Sequence, residues 1–242
     1  MDGARRLRQK GIVVAASLEA IRGAKGGGIV APGLGPRRIE KDRPPVTDEH
    51  PDPTTADPAL AALVARAGAA RRRAPVERWQ PAHCADLDIR IAADGTWFHD
   101  GAPIRREPLV RLFASVLRRD ADGRHFLVTP AEKVGIVVED APFLAVEMHA
   151  AGAGADRVLT FRTNVGDVVA AGPEHPLRFA IEADTGGLKP YILVRGRLEA
   201  RATRAVAQEL AILADLGPGE GGAWYGVWSG GAFFPIARAE EG

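Results

Sequence analysis

The chain has 242 residues, 46% apolar and 26% charged, with a formal net charge of +1. That is apolar material for one large domain or two small ones, and no apolar run approaches the roughly 18 residues of a membrane-crossing helix. The charge is uneven: residues 1–78 hold 15 Lys/Arg against 9 Asp/Glu, and residues 79–242 hold 17 against 22, so the part with a folding pattern lacks the bulk basic signal of a nucleic-acid binder.

Arg5, Arg6, Arg8 and Lys10 precede a short apolar run from Gly11 to Leu18. Glu19 and Arg22 cut that run too short for a secretory signal, and a start assigned too early is the other reading of this segment. Residues 23–58 are interrupted by Gly26, Gly27 and Gly28 and by prolines such as Pro44, Pro45, Pro51 and Pro53. Such a stretch buries too little to offset its ordering entropy, so residues 1–58 are expected to be a tail or linker. Asp57-Pro58 then starts a short helix with Leu60, Leu63, Val64 and Ala67 on one face and Arg71, Arg72 and Arg73 near its end.

From Trp79 the pattern is dense. Leu87, Ile89 and Ile91 alternate with Asp86, Asp88 and Arg90, which reads as a half-buried strand. Asp94-Gly95 and Asp100-Gly101 are turn pairs around Thr96-Trp97-Phe98. Pro108 opens an amphipathic helix with Leu109, Leu112, Phe113, Val116 and Leu117 on its buried face. Strands follow at His125–Val128 and Lys133–Val138. In the second block, Phe143–Met148, Val158–Thr163, Asp167–Val169, Leu177–Glu182 and Tyr191–Leu198 read as strands, and Arg201–Leu213 as a closing helix with Val206, Leu210 and Leu213 on one side. Strands in series with few helices predict an α+β class, not a doubly wound nucleotide fold. The expected units are a domain over 59–139, with the leading helix, and a strand-rich domain over 140–238, antiparallel sheets each carrying a packed helix. A short echo links Trp97-x-x-x-Gly101-x-Pro103-Ile104 with Trp228-x-x-Gly231-x-x-x-Pro235-Ile236, with chance as the plain explanation.

Several segments are similar to the bacterial domain of unknown function 1285 family. They are Trp79-Gln80-Pro81, Asp94-Gly95-Thr96-Trp97-Phe98, Val128-Thr129-Pro130-Ala131-Glu132-Lys133-Val134 and Val138-Glu139-Asp140-Ala141-Pro142-Phe143, then Thr163-Asn164-Val165-Gly166-Asp167, Glu174-His175-Pro176-Leu177-Arg178, Pro190-Tyr191 and Trp228-Ser229-Gly230-Gly231. The resemblance runs from about Leu60 to Ile236. It implies a two-domain protein whose C-terminal domain is loosely pleckstrin-homology-like, a ligand pocket near the domain interface for a nucleotide-like molecule, and a role in signalling. It carries over no catalytic residue. This chain departs from the family pattern at Cys84-Ala85, where a Cys-Gly pair is usual, and near His99, where an aromatic residue is common.

Candidates for chemistry are few. Ser115 lies in a helix pattern, and Ser229 in Gly226-Val227-Trp228-Ser229-Gly230-Gly231 is not a nucleophile elbow. Cys84, the only cysteine, can form no intrachain disulfide, which fits a reducing compartment such as the cytoplasm or indifference to one; beside His83 it reads as a small buried residue. His83, Cys84, Asp86 and Asp88 cluster without a metal-binding spacing, so neither metal nor cofactor is expected. Glu174 or His175 has the chemistry of a general base but no identifiable partner. The strongest candidate is a basic face. Strand alternation puts Lys189, Tyr191, Leu193, Arg195 and Arg197 on one side, and Thr160, Arg162 and Asn164 share a face nearby. Arginine forks and an aromatic ring suit a phosphate-bearing ring compound, and Lys133, after its Thr-Pro turn, has the reach to join them. The expected ligand site is therefore Lys133, Arg162, Asn164, Lys189, Tyr191 and Arg195, in a non-catalytic binding or signalling protein. One alternative is a protein-interaction module using Trp224, Tyr225, Trp228, Phe233 and Phe234; the other is an enzyme of unrecognised class.

Overall fold

A computed structural model describes residues 74–81, 84–182 and 184–239, with only the backbone of Cys84. The tail, the helix after Asp57, His83 and the Cys84 side chain lie outside the described residues. The first domain is one six-stranded sheet. Its strands are β1 (Cys84–Ile91), β2 (Trp97–His99), β3 (Ala102–Pro103), β4 (Leu117–Arg119), β5 (His125–Val128) and β6 (Lys133–Val138), in the order β3-β2-β1-β6-β5-β4. Two antiparallel meanders are joined where β1 runs parallel to β6. The turn pairs close the first meander, with φ of +83° at Gly95, +48° at Asp100 and +75° at Gly101, the left-handed values such turns need. Helix α1 (Glu107–Ser115) crosses between the meanders and stacks Phe113 on Trp97 at 6.1 Å.

The second domain repeats that connectivity. Strands β7 (Phe143–Ala151), β8 (Val158–Thr163), β9 (Val168–Ala170), β10 (Leu177–Ile181), β11 (Leu188–Arg195) and β12 (Leu198–Ala202) lie in the order β10-β11-β12-β7-β8-β9, with β7 parallel to β12. Helix α2 (Arg204–Ile212) covers its core face through Val206 and Leu210. A third sheet, β13 (Asp215–Gly219), β14 (Gly222–Ser229) and β15 (Ala232–Arg238), completes the domain. It is pinned to the second sheet by Ser229, whose buried hydroxyl donates to the Ala171 carbonyl at 2.8 Å and accepts from the Leu159 amide at 2.9 Å.

The molecule is thus two sheet-rich domains, mostly antiparallel, with two α-helices among the described residues. Strand alternation places Ile89, Ile91, Leu159, Phe161, Ile192 and Val194 in the core as expected. Three local expectations fail. Helix α1 stops at Ser115, and Leu117 starts a strand paired with Leu127; both states bury it, so apolar spacing does not separate them. Tyr191–Leu198 is not one strand, because Gly196 at φ +51° turns the chain between β11 and β12 and takes Arg197 off the β11 face. The closing helix begins at Arg204, three residues late, since Arg201 belongs to β12. The Trp97 and Trp228 echo does not follow the repeated strand order: Trp97 sits in β2 of the first sheet, whereas Trp228 sits in β14 of the three-stranded sheet, outside the sheet that repeats the first.

Candidate functional site

The two domains are joined by Glu139 and Asp140, and these consecutive carboxylates face opposite ways. Glu139 accepts from the Ala93 amide at 2.9 Å and from Arg90; the amide first and the guanidinium second hold its carboxyl below the usual range. Asp140 turns to the second domain. It accepts from the Tyr191 hydroxyl at 2.7 Å and from Arg201 Nη1 at 3.1 Å, with Lys189 Nζ at 3.9 Å.

Sheet register explains this convergence. Arg178, Tyr191, Arg201 and Leu144 lie in one row across β10, β11, β12 and β7, so their side chains share a face. Arg178 lies over the Tyr191 ring at 3.9 Å and is held by both oxygens of Glu199 at 2.8 and 2.7 Å. Lys189, two residues along β11, also reaches Glu182 at 3.2 Å. Burial first, and the Asp140 carboxylate second, push the Tyr191 phenol up to about 12. Arg201 uses its second nitrogen to reach the Ala93 carbonyl of the first domain at 2.7 Å.

The six residues expected to form one site fall into separate places. Lys189 and Tyr191 meet at Asp140. Arg195 is six residues from Lys189 on the same strand, about 20 Å at 3.3 Å per residue, and it donates to Asp167 and to the Ala114 carbonyl at the end of α1. Arg162 is forked onto Glu147 at 2.7 and 2.5 Å. The Asn164 side chain accepts from the Leu144 amide at 3.0 Å. Lys133 pairs with Asp120 in the first domain and lies 4.0 Å over the Phe126 ring. The residues that complete the Asp140 cluster, Arg178 and Arg201, are not among the six. Arg178 had a signal, since it ends the Glu174–Arg178 motif. Arg201 had none, because its apolar neighbours also fit a helix.

The other candidates serve the scaffold. His175 Nδ1 lies 2.9 Å from the Leu193 carbonyl, and Asp86 pairs with Arg124 at 3.0 Å. Among the described residues, no three His, Cys, Asp or Glu are grouped to hold a metal ion. Trp228 and Phe233 pack at 5.1 Å, half-buried with Trp224 and Tyr225, while Phe234 is buried. Arg118, 3% exposed, donates to the carbonyls of Val76 and Trp79 and so ties residues 74–79 to β4. Among the described residues no helix is long and apolar enough to cross a membrane.

Family models described as the N-terminal domain of a domain of unknown function (DUF1285) and the C-terminal domain of a protein of unknown function (DUF1285) match residues 74–141 and 142–236. The chain belongs to the DUF1285 family. A DUF1285 family protein from Silicibacter pomeroyi, solved by crystallography, is 47% identical with a TM-score of 0.67; the likeness covers 72% of this chain and 94% of that one. A second DUF1285 family protein, from Shewanella baltica, is 29% identical with a TM-score of 0.38, covering 48% of this chain and 84% of that one. No curated protein matches. In this DUF1285 chain the two matched domains meet next to Asp140, where Tyr191, Lys189 and Arg201 converge.

Proposed function

We propose that this DUF1285 protein is a non-catalytic, cytoplasmic binding protein that senses a small anionic molecule, nucleotide-like or phosphorylated, at the junction of its domains. The observation that carries this reading is the gathering of Lys189, Arg201 and the Tyr191 hydroxyl on one carboxylate, Asp140, at the domain boundary. A phosphate carries more charge and more acceptor oxygens than the carboxylate, and suits both an ammonium and a guanidinium fork. Arg178, whose guanidinium is half-exposed over Tyr191, adds a planar cation against which a ring can stack. Reading the C-terminal domain as loosely pleckstrin-homology-like belongs to this proposal; six strands followed by α2 support it. The engagement of Ser229 and His175 with backbone groups supports a non-catalytic role.

A second reading, docking of a protein on the third sheet, is favoured by half-buried Trp224, Trp228 and Phe233 and by Leu216 at 60% exposure. A thermal-shift screen of nucleotides and phosphorylated metabolites tests the first reading, because a ligand of the native state raises its midpoint. Calorimetric titration of the best hit should then show Lys189→Ala weakening it by about 10- to 150-fold, the worth of one charged hydrogen bond. The reading fails when no compound shifts the midpoint, or when Lys189→Ala binds as tightly as the wild type.

A further inference from the structure

Glu139, Asp140, Arg201 and Ala93 form a closed loop. Glu139 takes the Ala93 N–H; its neighbour Asp140 takes Arg201; and Arg201 returns to the Ala93 carbonyl. One residue of the β1–β2 turn is therefore gripped through both its backbone polar groups, its N–H from the linker and its carbonyl from the second domain. Beneath that grip the turn rests on the second domain. A Cβ at Gly95 would stand 3.0 Å from Leu144 Cδ1 and 3.2 Å from Asn164 Nδ2, and Gly95 has φ +83°. Asn164 is itself fixed to β7, by its amide on the Leu144 carbonyl at 2.9 Å and by its side chain on the Leu144 amide.

Resting on the anion site proposed above, we infer that this loop is a latch on the β1–β2 turn, held shut by Asp140 and opened by a phosphate-class ligand that takes over Arg201. The guanidinium is a rigid planar fork. Its two terminal nitrogens serve Asp140 and Ala93 separately, so turning that fork to grip a phosphate with two bonds surrenders both contacts at once. Asp140 is not stranded by the exchange, because the Tyr191 hydroxyl remains on it. Ala93 and its carbonyl lie in a partly exposed turn where water replaces the lost donor. Both exchanges leave the released groups satisfied, which makes the change reversible and distinguishes a latch from a brace. Ligand occupancy is thereby converted into release of a first-domain turn from the second domain.

Linkage supplies a test when affinity is read together with hydrogen exchange: if the anion opens the latch, weakening the latch must strengthen the anion, and because losing the Glu139 charge by itself favours an anion, exchange in the turn decides between the two. Glu139 is the residue to change, because it holds Ala93 without touching the cations around Asp140, and at 41% exposure its loss leaves the fold intact. The experiment uses the full chain, pyrophosphate as probe, calorimetry for affinity and hydrogen exchange by mass spectrometry across residues 92–96. Pyrophosphate should accelerate exchange in that segment, and Glu139→Ala should bind it roughly five-fold more tightly, the lower end of usual coupling. Without pyrophosphate, Arg201→Ala and Glu139→Ala should each accelerate the same exchange. Pyrophosphate that binds while exchange in 92–96 is unchanged, or Glu139→Ala that binds no more tightly, overturns the latch and leaves the site standing. Unchanged exchange in ligand-free Glu139→Ala overturns it without reference to any ligand. No binding by the wild type overturns the site and the latch together.

Discussion

Tyr191 carries on one phenol the two influences that shape the junction. It is 6% exposed, and its hydroxyl donates to a carboxylate, so both burial and the neighbouring charge disfavour the phenolate. The folded-state value of about 12 lies above the ordinary value near 10. The folded protein therefore holds this proton more tightly than the unfolded chain does. The resulting stabilisation is complete below pH 10 and is lost as pH rises through about 12. Ultraviolet titration of wild type minus Tyr191→Phe should give a phenol midpoint near that value. At neutral pH, Tyr191→Phe should cost about 1.5–3 kcal/mol, the worth of a hydrogen bond to a charged group. A difference spectrum with its midpoint near 10 would show a solvated hydroxyl not held by Asp140.

At the scale of the element, α1 shows how a buried face can be read correctly while its length is not. Phe113 is 0% exposed and stacked on Trp97, whereas Leu112 is only half-buried at the edge of the core. Phe113→Ala should therefore destabilise by about 3–5 kcal/mol, and Leu112→Ala by clearly less, in urea titrations of both variants. Equal losses would place the helix a notch round from its described orientation. The helix ends after nine residues, with the Val116 amide turned back to the Phe113 and Ala114 carbonyls. Arg195 donates to the Ala114 carbonyl at the buried end of that helix, a cation where the dipole favours one.

For the whole molecule, two domains of identical strand order are held together by a few charged side chains that cross between them. Arg195 and Arg201 both extend from the second domain to backbone carbonyls of the first. Read as part of an open basic face, Arg195 would be expected to change stability little when removed. At 19% exposure and bonded to Asp167 as well as Ala114, it has a structural role. Arg195→Ala should lower stability by about 1.5–3 kcal/mol, read as a shift in the urea midpoint. A change under about 0.5 kcal/mol, the range of a free surface position, would show that the contact is not maintained in solution.

Features that depend on neighbours along the chain are legible in the residues alone. The period-two alternation at Leu87–Ile91 and Val158–Thr163, the Asp-Gly turns and the apolar stripe of α1 are local patterns, and each formed where that pattern stood. The family resemblance was legible for the same reason, in short motifs taken in order. Tertiary structure decided what depends on pairing. Whether Leu117 ended a helix or opened a strand was set by Leu127 across the sheet, and whether Arg201 belonged to α2 or to β12 by Leu144 and Tyr191 on either side of it. The candidate site was decided in the same way. Lys189 and Arg195 alternate onto one face of β11, yet distance along the strand separates them and different carboxylates claim them. Arg178 and Arg201, remote in the chain, arrive beside Tyr191 because hydrogen-bond register aligns three strands. Periodicity tells which face a side chain takes; only the pairing of distant strands sets which side chains meet on it.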